Sequence, residues 1–578
     1  MTGHTRLDPF VVGAVANRLT SVLQEQQTAL VNTAFSSIVR ESLDLACAVF
    51  DSQGEMIGQS VGGTPGHINA MATGMHHFVA AYPAETLEPG DVLFTNDPWM
   101  TAGQINDISV ATPVFRGGVL VAWFATCCHA PDIGGRVLSA QASEVFEEGL
   151  AIPIMKLFRA GEPNVDVVNI IRQNVRTPDE TIGDLYAQAS ANAVGAESLL
   201  RLMEEYALDS VDDIAAEIMA RSELALRDAI TALPDGTYRS QVECDGFDGD
   251  SLSLALALTI DGGAITLDYT GSSPESRSGV NVVLNYTMAY SSFAIKAAIA
   301  PDVPHNAGSF RPVAVTAPEG CILNCQRPAP VASRHSVGHY LPSLIFQALQ
   351  QVIPERIMAE SADAVWMTVF RGKRSDSRPF LFSHFLSGGT GARCSKDGLS
   401  TTSFPSGLRV VPTEVFEALT PMVQMRRELR TDSGGAGEFR GGLGQISTFH
   451  TRDVESLLIN ANIERTRFAA RGVMGGGPGL AGYLGDATGR SLSPKRALTV
   501  DAEVPLEFRP PGGGGYGDPW KRAARAVLAD VAAGYVSVGA ALSEYGVVVR
   551  FEGDPGALVR PPGAFVLDEA ATADARAS

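Results

Sequence analysis

Carboxylates and an imidazole recur early in this chain at positions where they could share one ion or one proton. Asp44 closes the run Arg40-Glu41-Ser42-Leu43-Asp44. Asn96-Asp97-Pro98-Trp99 follows, then Asp107 in Gln104-Ile105-Asn106-Asp107, then His129-Ala130-Pro131-Asp132-Ile133-Gly134-Gly135. The last three lie within 40 residues on what read as adjacent strands. Imidazole nitrogen and carboxylate oxygen together suit divalent metals, and a metal-bound water can act as a nucleophile near neutral pH. Two readings of His129 and Asp132 stand side by side: a metal site, or a satisfied structural histidine beside a Gly-Gly that lets backbone approach closely. Asn96-Asp97-Pro98 has a simpler explanation as a turn, because Asx side chains bond their own backbone and proline fixes the next φ. Ser333-Arg334-His335 with His339 reads as a buried hydrogen-bonded network, with a clamp for a substrate anion as the alternative.

The elements that must position these residues follow from periodicity. Asp8-Pro9 opens a helix expected to run to about residue 40, with Val12, Val15, Leu19, Leu23 and Leu30 near helical spacing. A hairpin of strands over 45–50 and 56–59 turns at residues 51–54. A helix is predicted over 67–80, and strands over 91–94, 108–115 and 119–126. His129 then falls just past a strand end, where loops present ligands. A helical block spans 165–232. Strands over 237–244, 252–260 and 264–269 come next, with helices near 290–300 and 340–352. Beyond about residue 363 glycine is frequent and helical periodicity poor, which predicts a β-rich region. Helices return over 520–533 and 537–545, and the small, acidic tail after Leu567 is expected to fray. The fold class is α+β and multi-lobed, a mixed helical and sheet N-terminal half with a Gly-rich, β-rich C-terminal half. The regions divide as 1–235 with the candidate site and helical block, 236–505 as mainly β, and 506–578 as a Gly-rich loop, helices and tail.

Composition excludes several function classes. A chain of 578 residues exceeds the size, about 250–300 residues, at which single cores stop growing. No apolar run reaches the roughly 18 residues of a membrane span. The opening Met1-Thr2-Gly3-His4-Thr5-Arg6-Leu7-Asp8 lacks the basic-then-apolar layout of a signal peptide, so a cytoplasmic location is expected. With 44 basic against 64 acidic residues the net charge is −20, and no basic stripe exists to replace the counterions of a nucleic acid. Seven cysteines without a Cys-x-x-Cys pair read as reduced, mostly buried thiols. The runs Gly388-Gly389-Thr390-Gly391, Gly434-Gly435-Ala436-Gly437, Gly475-Gly476-Gly477-Pro478-Gly479 and 512–515 lack the strand, loop and helix order of a phosphate cradle. They read as turns and tight β contacts.

In order along the chain these segments resemble the hydantoinase B/oxoprolinase family. The resemblance rests on Arg40-Glu41-Ser42-Leu43-Asp44 with Cys47-Ala48-Val49-Phe50-Asp51, on Asn96-Asp97-Pro98-Trp99, and on His129-x-x-Asp132 with Gly134-Gly135. Glu148-Gly149-Leu150, Asn174-Val175-Arg176-x-Pro178 and Gly183-Asp184-Leu185 continue it. Asn306-x-Gly308-x-x-Arg311-Pro312, Ala317-Pro318-Glu319-Gly320, Asp432 to Gly437 with Arg440 to Gly444, and Gly512 to Pro519 complete it. The resemblance implies the B-type subunit of an ATP-dependent hydrolase of cyclic amides (a hydantoin, 5-oxoproline or another lactam). It implies a hetero-oligomer with a larger A-type subunit that binds ATP, a small-molecule substrate, and no nucleic acid or membrane. The alternatives it leaves are the large subunit of an acetone- or acetophenone-type carboxylase, and a non-catalytic scaffold for the ATP-using subunit. It further implies a divalent metal, Zn, Mn or Mg, held by Asp44, Gln104, Asp107 and His129. Asp107, Asp132 and His67 are then the catalytic candidates, with Asp132 as an outer carboxylate or base and His67 in the pocket wall. Arg334 and His335 are candidates for binding a substrate carboxylate or phosphate. Gln104, Ala130 and Gly63 depart from the family pattern, which commonly has histidine at or beside these places.

Overall fold

The structure is a computed structural model that describes residues 8–557 and 559–577. The sequence reading of residues 1–7 lies outside this range. The chain divides into two compact units. One holds the chain up to Gln241 with Leu254–Ile345 and Ser406–Val411; the other holds Val242–Ser253, Phe346–Pro405 and the chain from Pro412 onward.

In the first unit, the Asp8 carboxylate accepts from the Phe10 N–H at 2.9 Å and Pro9 fills the first turn, so α1 (Pro9–Thr33) begins where its cap predicts. It does not reach residue 40. Ser36 caps a separate turn, α2 (Ser37–Arg40), by accepting from the Val39 N–H, and this second cap restarts the helix in a new direction. The hairpin β1 (Leu45–Phe50) and β2 (Met56–Gln59) leads into α3 (Pro65–Ala81). Strands β3 (Val92–Thr95), β4 (Asp107–Arg116), β5 (Val119–His129), β6 (Met155–Arg159) and β7 (Glu162–Pro163) complete a seven-stranded antiparallel sheet in the order β2-β1-β5-β4-β3-β6-β7.

Both faces of this sheet are covered. Val49, Phe124 and Val121 pack with α1 and with two members of the helical block, which resolves into α4 (Val165–Asn174), α5 (Pro178–Glu205) and α6 (Asp212–Thr231). Ala46, Ala48, Phe50 and Trp123 pack with α3 on the other face. A strand buried on both sides needs no polar alternation, which explains the unbroken apolar run of β1.

A second sheet, in the order β11-β10-β9-β8, is built from β8 (Gly236–Asp245), β9 (Ser251–Asp261), β10 (Ala264–Asp268) and β11 (Val313–Thr316). Helix α7 (Leu284–Ile299) packs on α3. Gly66 permits that approach, because a Cβ there would stand 2.8 Å from the Tyr290 ring. The contact sets Tyr286 and Tyr290 beside the first turn of α3.

The second unit is β-rich, as expected. One four-stranded sheet joins Trp366–Arg374, Pro379–Leu386, Val454–Asn462 and Ala497–Val500; another joins Met422–Leu429, Gln445–Thr451, Leu506–Arg509 and Tyr483–Asp486. The glycine runs make tight backbone contacts but are not strands. Extended segments lie side by side and bond one another: Gly513 N–H to Gly442 O at 2.9 Å, Gly442 N–H to Thr390 O at 2.8 Å, Gly435 N–H to Gly513 O at 2.8 Å, and Gly515 N–H to Gly477 O at 2.9 Å. A Cβ at Gly389, Gly441 or Gly513 would collide with a neighbouring carbonyl.

The tail is not frayed. Glu569–Ala577 is helical, the Arg576 guanidinium donates to Tyr545 O at 3.0 and 3.1 Å, and Thr572 Oγ1 accepts from Val548 N–H. All seven cysteines are free thiols, buried except for the half-buried Cys394. Among the described residues no helix is long and apolar enough to cross a membrane.

Candidate active site

Three neighbouring strands end at one place. Asp44 immediately precedes β1, Asp107 opens β4 and His129 closes β5, and β5 lies between the other two. Asp107 and His129 face each other in register, and the His129 N–H donates to Asp44 O at 3.2 Å. His129 therefore belongs to the strand rather than to a loop past its end, because pairing on both sides carries β5 three residues beyond the expected 126. Helix α3 supplies the remaining imidazole. Its N-terminal flanking residue, Thr64, donates from Oγ1 to Asp44 Oδ1 at 3.1 Å, and His67 stands in its first turn.

Asp107 is fully buried at the centre. Its Oδ1 lies 2.8 Å from His129 Nδ1, and its Oδ2 lies 3.1 Å from His67 Nε2 and accepts from Arg334 Nη2. An ionised carboxylate only accepts, so His129 Nδ1 carries a proton towards Asp107, which in the neutral ring leaves Nε2 as the acceptor. His67 Nδ1 makes no hydrogen bond and lies 3.5 Å from Asp44 Oδ1. Arg334, itself buried, donates from Nε to Ala102 O at 2.7 Å and from Nη1 to Gln104 Oε1, and its guanidinium stacks 4.2 Å over the Tyr286 ring. Gln104 is fixed from its other end, where Nε2 donates to Ala332 O at 2.7 Å. Gly103, at φ +83, makes room for this arrangement, since a Cβ there would stand 3.0 Å from Arg334 Cδ.

Charge is settled inside this cluster. Burial works against the Asp107 carboxylate, but Arg334, His67 and His129 outweigh it and hold the group well below the usual range. Burial also disfavours the His67 imidazolium, and the carboxylates of Asp107 and Asp44 more than reverse that, so its pKa is raised. Behind Arg334, the hydroxyls of Tyr286 and Tyr290 lie 3.2 and 3.0 Å from His339 Nε2. Burial, reinforced by His335 and Arg334, keeps His339 neutral. The Glu148 carboxyl accepts through Oε1 from the N–H groups of Val331 and Ala332, and burial nevertheless pushes its pKa up to about 8.

The remaining sequence candidates are placed elsewhere or bonded otherwise. Asp132 is engaged with Arg176, which donates to it from its backbone N–H and from Nη1 at 2.7 Å. Asp97 forms the expected turn, accepting from the Trp99 N–H at 3.0 Å, and Asn96 ties the backbone of Ile105, Leu150 and Ile152 together. The Trp99 indole donates to Cys325 O. The cluster around Arg334, His335 and His339 is a buried network, as its simpler reading holds. Sequence reasoning missed Arg334 as the partner of Asp107 and gave Glu148 no role. No local signal links positions 227 residues apart.

The expected ligands Asp44, Gln104, Asp107 and His129 do not fit a metal ion as they stand. Among the described residues no three His, Cys, Asp or Glu side chains converge to hold one. Two of the four donors face the Arg334 guanidinium instead. A divalent ion about 4 Å from that cation would meet repulsion on the order of 8 kcal/mol at an effective dielectric of about 20. The cavity of about 390 Å³ between α1 and the segment 296–305 is lined by none of these residues.

A sequence model described as hydantoinase B/oxoprolinase matches residues 8–519. The chain is 31% identical to the beta subunit of the caprolactamase of Pseudomonas jessenii, over 99% of both chains. The crystal structure of the ATP-dependent caprolactamase from that organism superposes with a TM-score of 0.88 at 28% identity, covering 99% of this chain and 100% of the other. A putative B-type subunit of a D-/L-hydantoinase from Pseudomonas sp. strain NS671 is 29% identical over 95% of this chain and 96% of its own length. The nucleotide-free structure of an acetone carboxylase shares the fold at a TM-score of 0.87 and 21% identity, covering 99% of this chain and 83% of that one.

Proposed function

Because the chain belongs to the hydantoinase B/oxoprolinase family, we propose that it is the B-type subunit of an ATP-dependent hydrolase that opens cyclic amides, with a lactam, hydantoin or 5-oxoproline ring as substrate. ATP is bound by a larger A-type partner, in keeping with the missing phosphate cradle in this sequence, and the complex works in the cytoplasm. The observation that carries the reading is the Asp107–His129 pair: a buried carboxylate orienting an imidazole at converging strand ends, in a chain whose relatives are named for cyclic amide hydrolysis.

A ring amide resists water because its nitrogen lone pair is delocalised into the carbonyl. Phosphorylation of the amide oxygen by the partner removes that protection. A water then adds to the ring carbon and His129 Nε2 takes its proton, while Asp107 holds the imidazole in the tautomer that can accept it. Collapse breaks the carbon–nitrogen bond, the nitrogen leaves with the proton, and an acyl phosphate remains. A second water converts this to carboxylate and phosphate, so the overall reaction consumes one ATP and two waters. The imidazolium formed at His129 is stabilised by the Asp107 carboxylate 2.8 Å away.

The test is reconstitution with the A-type partner, assaying caprolactam, hydantoin and 5-oxoproline. The expected result is ATP-dependent ring opening without bicarbonate, and none by the isolated chain. A bicarbonate requirement with a carboxylated product would replace this reading with the carboxylase alternative.

A further inference from the structure

Each of the three nitrogens of the Arg334 guanidinium has a fixed partner. Nε is on Ala102 O, Nη1 on Gln104 Oε1 and Nη2 on Asp107 Oδ2, with Tyr286 beneath the plane. Gln104 cannot turn its oxygen elsewhere without losing Ala332 O, and Gly103 keeps the space that the arginine stem fills. This is a built socket for a planar, permanently charged fork, a shape that a lysine ammonium or a spherical ion does not reproduce.

We propose that the buried centre of this protein is organised by the guanidinium of Arg334 in place of a divalent metal ion, with Asp107 and Gln104 as its fixed partners. The proposal deepens the hydrolase reading and rests on it for the statement that ring opening needs no metal at this centre. Gln104 is then an arginine acceptor, and its neutral oxygen suits that role: a carboxylate there would leave the socket with an excess of negative charge, and an imidazole would be pressed against a cation. Arg334 is a positioning residue. It fixes the rotamer and charge of Asp107, which in turn fixes His129.

The test measures metal content and chelator response in the wild-type chain and in Gln104→His, each copurified with the partner. Wild type is expected to carry less than a tenth of a metal ion per chain by elemental analysis. Its melting temperature should be unmoved by dialysis against EDTA or by millimolar Mn²⁺ or Zn²⁺. Gln104→His is expected to remain metal-free, because the guanidinium still occupies the position. One ion per wild-type chain, lost to EDTA with a fall in melting temperature, would overturn the proposal. Stoichiometric metal in Gln104→His alone would also overturn it, by showing that glutamine rather than Arg334 excludes the ion. Metal content and melting are read without substrate, so the proposal is decided even for a complex that opens no ring. Absent ring opening would count against the hydrolase reading alone. Ring opening by complex dialysed against EDTA and then assayed with Mg²⁺ and ATP alone would support both, and ring opening that after this dialysis still needs added Zn²⁺ or Mn²⁺ beside the Mg²⁺ and ATP would overturn this one only.

Discussion

The strand-end centre around Asp107 and the glycine stack around Gly513 both bury polar groups away from water, yet they satisfy them by opposite means. At the centre, side chains drawn from β4, β5, the first turn of α3 and the segment at Arg334 complete one another's hydrogen bonds and charges. In the stack, backbone amides and carbonyls mainly complete one another, and glycines such as Gly389, Gly441 and Gly513 leave no room for a Cβ. The centre should therefore tolerate changes of size poorly and changes of chemistry worse. The stack should be indifferent to chemistry and intolerant of a single added carbon.

The sharpest way to break this contrast is Asp107→Asn. It keeps the shape but lets an NH₂ face His129 Nδ1, which favours the wrong tautomer. A loss of kcat of roughly 10⁴-fold is expected with the circular dichroism spectrum retained, and a loss below tenfold would remove Asp107 and His129 from the reaction. Gly513→Ala comes next. Its Cβ would collide with the Thr390 carbonyl, and neither backbone can yield without breaking the stack. A loss of about 3 kcal/mol or more is expected, read as a lower midpoint in urea or as insoluble protein.

Glu148 supplies a pH test of the side-chain kind of burial. Its folded pKa, about 8, lies above the ordinary glutamate value of about 4.3. The folded state then holds a proton that the unfolded state has released. The stabilisation is fully present below pH ~4.3 and is lost as pH rises through 8. Wild type should melt several degrees lower at pH 9 than at pH 6, and Glu148→Gln, which keeps an oxygen for the Val331 and Ala332 N–H groups, should flatten that slope. Equal slopes in the two proteins would show that the carboxyl is ionised throughout. The smallest effect belongs to Gly489→Ala. Gly489 is also in the second unit, at φ +86, but has open space where a Cβ would go. It should cost only about 1 kcal/mol, the backbone term alone. A cost equal to that of Gly513→Ala would mean that conformation, not crowding, explains the glycines.

Much of this was legible in the sequence. Helical spacing marked α1, α3, α5 and α6, and turn residues marked the hairpins, because these are decided by neighbours a few residues away. The candidates Asp44, His67, Asp107 and His129 do meet, since three of them border strands that pair and the fourth opens the helix packed on that sheet. Where the reading failed, either a local cap outweighed the apolar spacing or a partner elsewhere in the chain had intervened. Ser36 restarted a helix that apolar spacing alone would have continued, Arg576 and Thr572 tied down a tail with no apolar signal, and the second partner of β5 extended it to His129.

The order of apolar, turn and capping residues thus determined, without any tertiary information, most of the helices and strands and which side chains border the sheet edge. Only the tertiary structure decided what those side chains bond. Asp132 went to Arg176, Gln104 and Asp107 went to Arg334, and the glycine runs went to one another's backbones. The physical reason is range. Propensity and capping act over a few residues, whereas a buried charge or carbonyl must be matched by whatever group the fold brings within about 3 Å, and here that group comes from far along the chain.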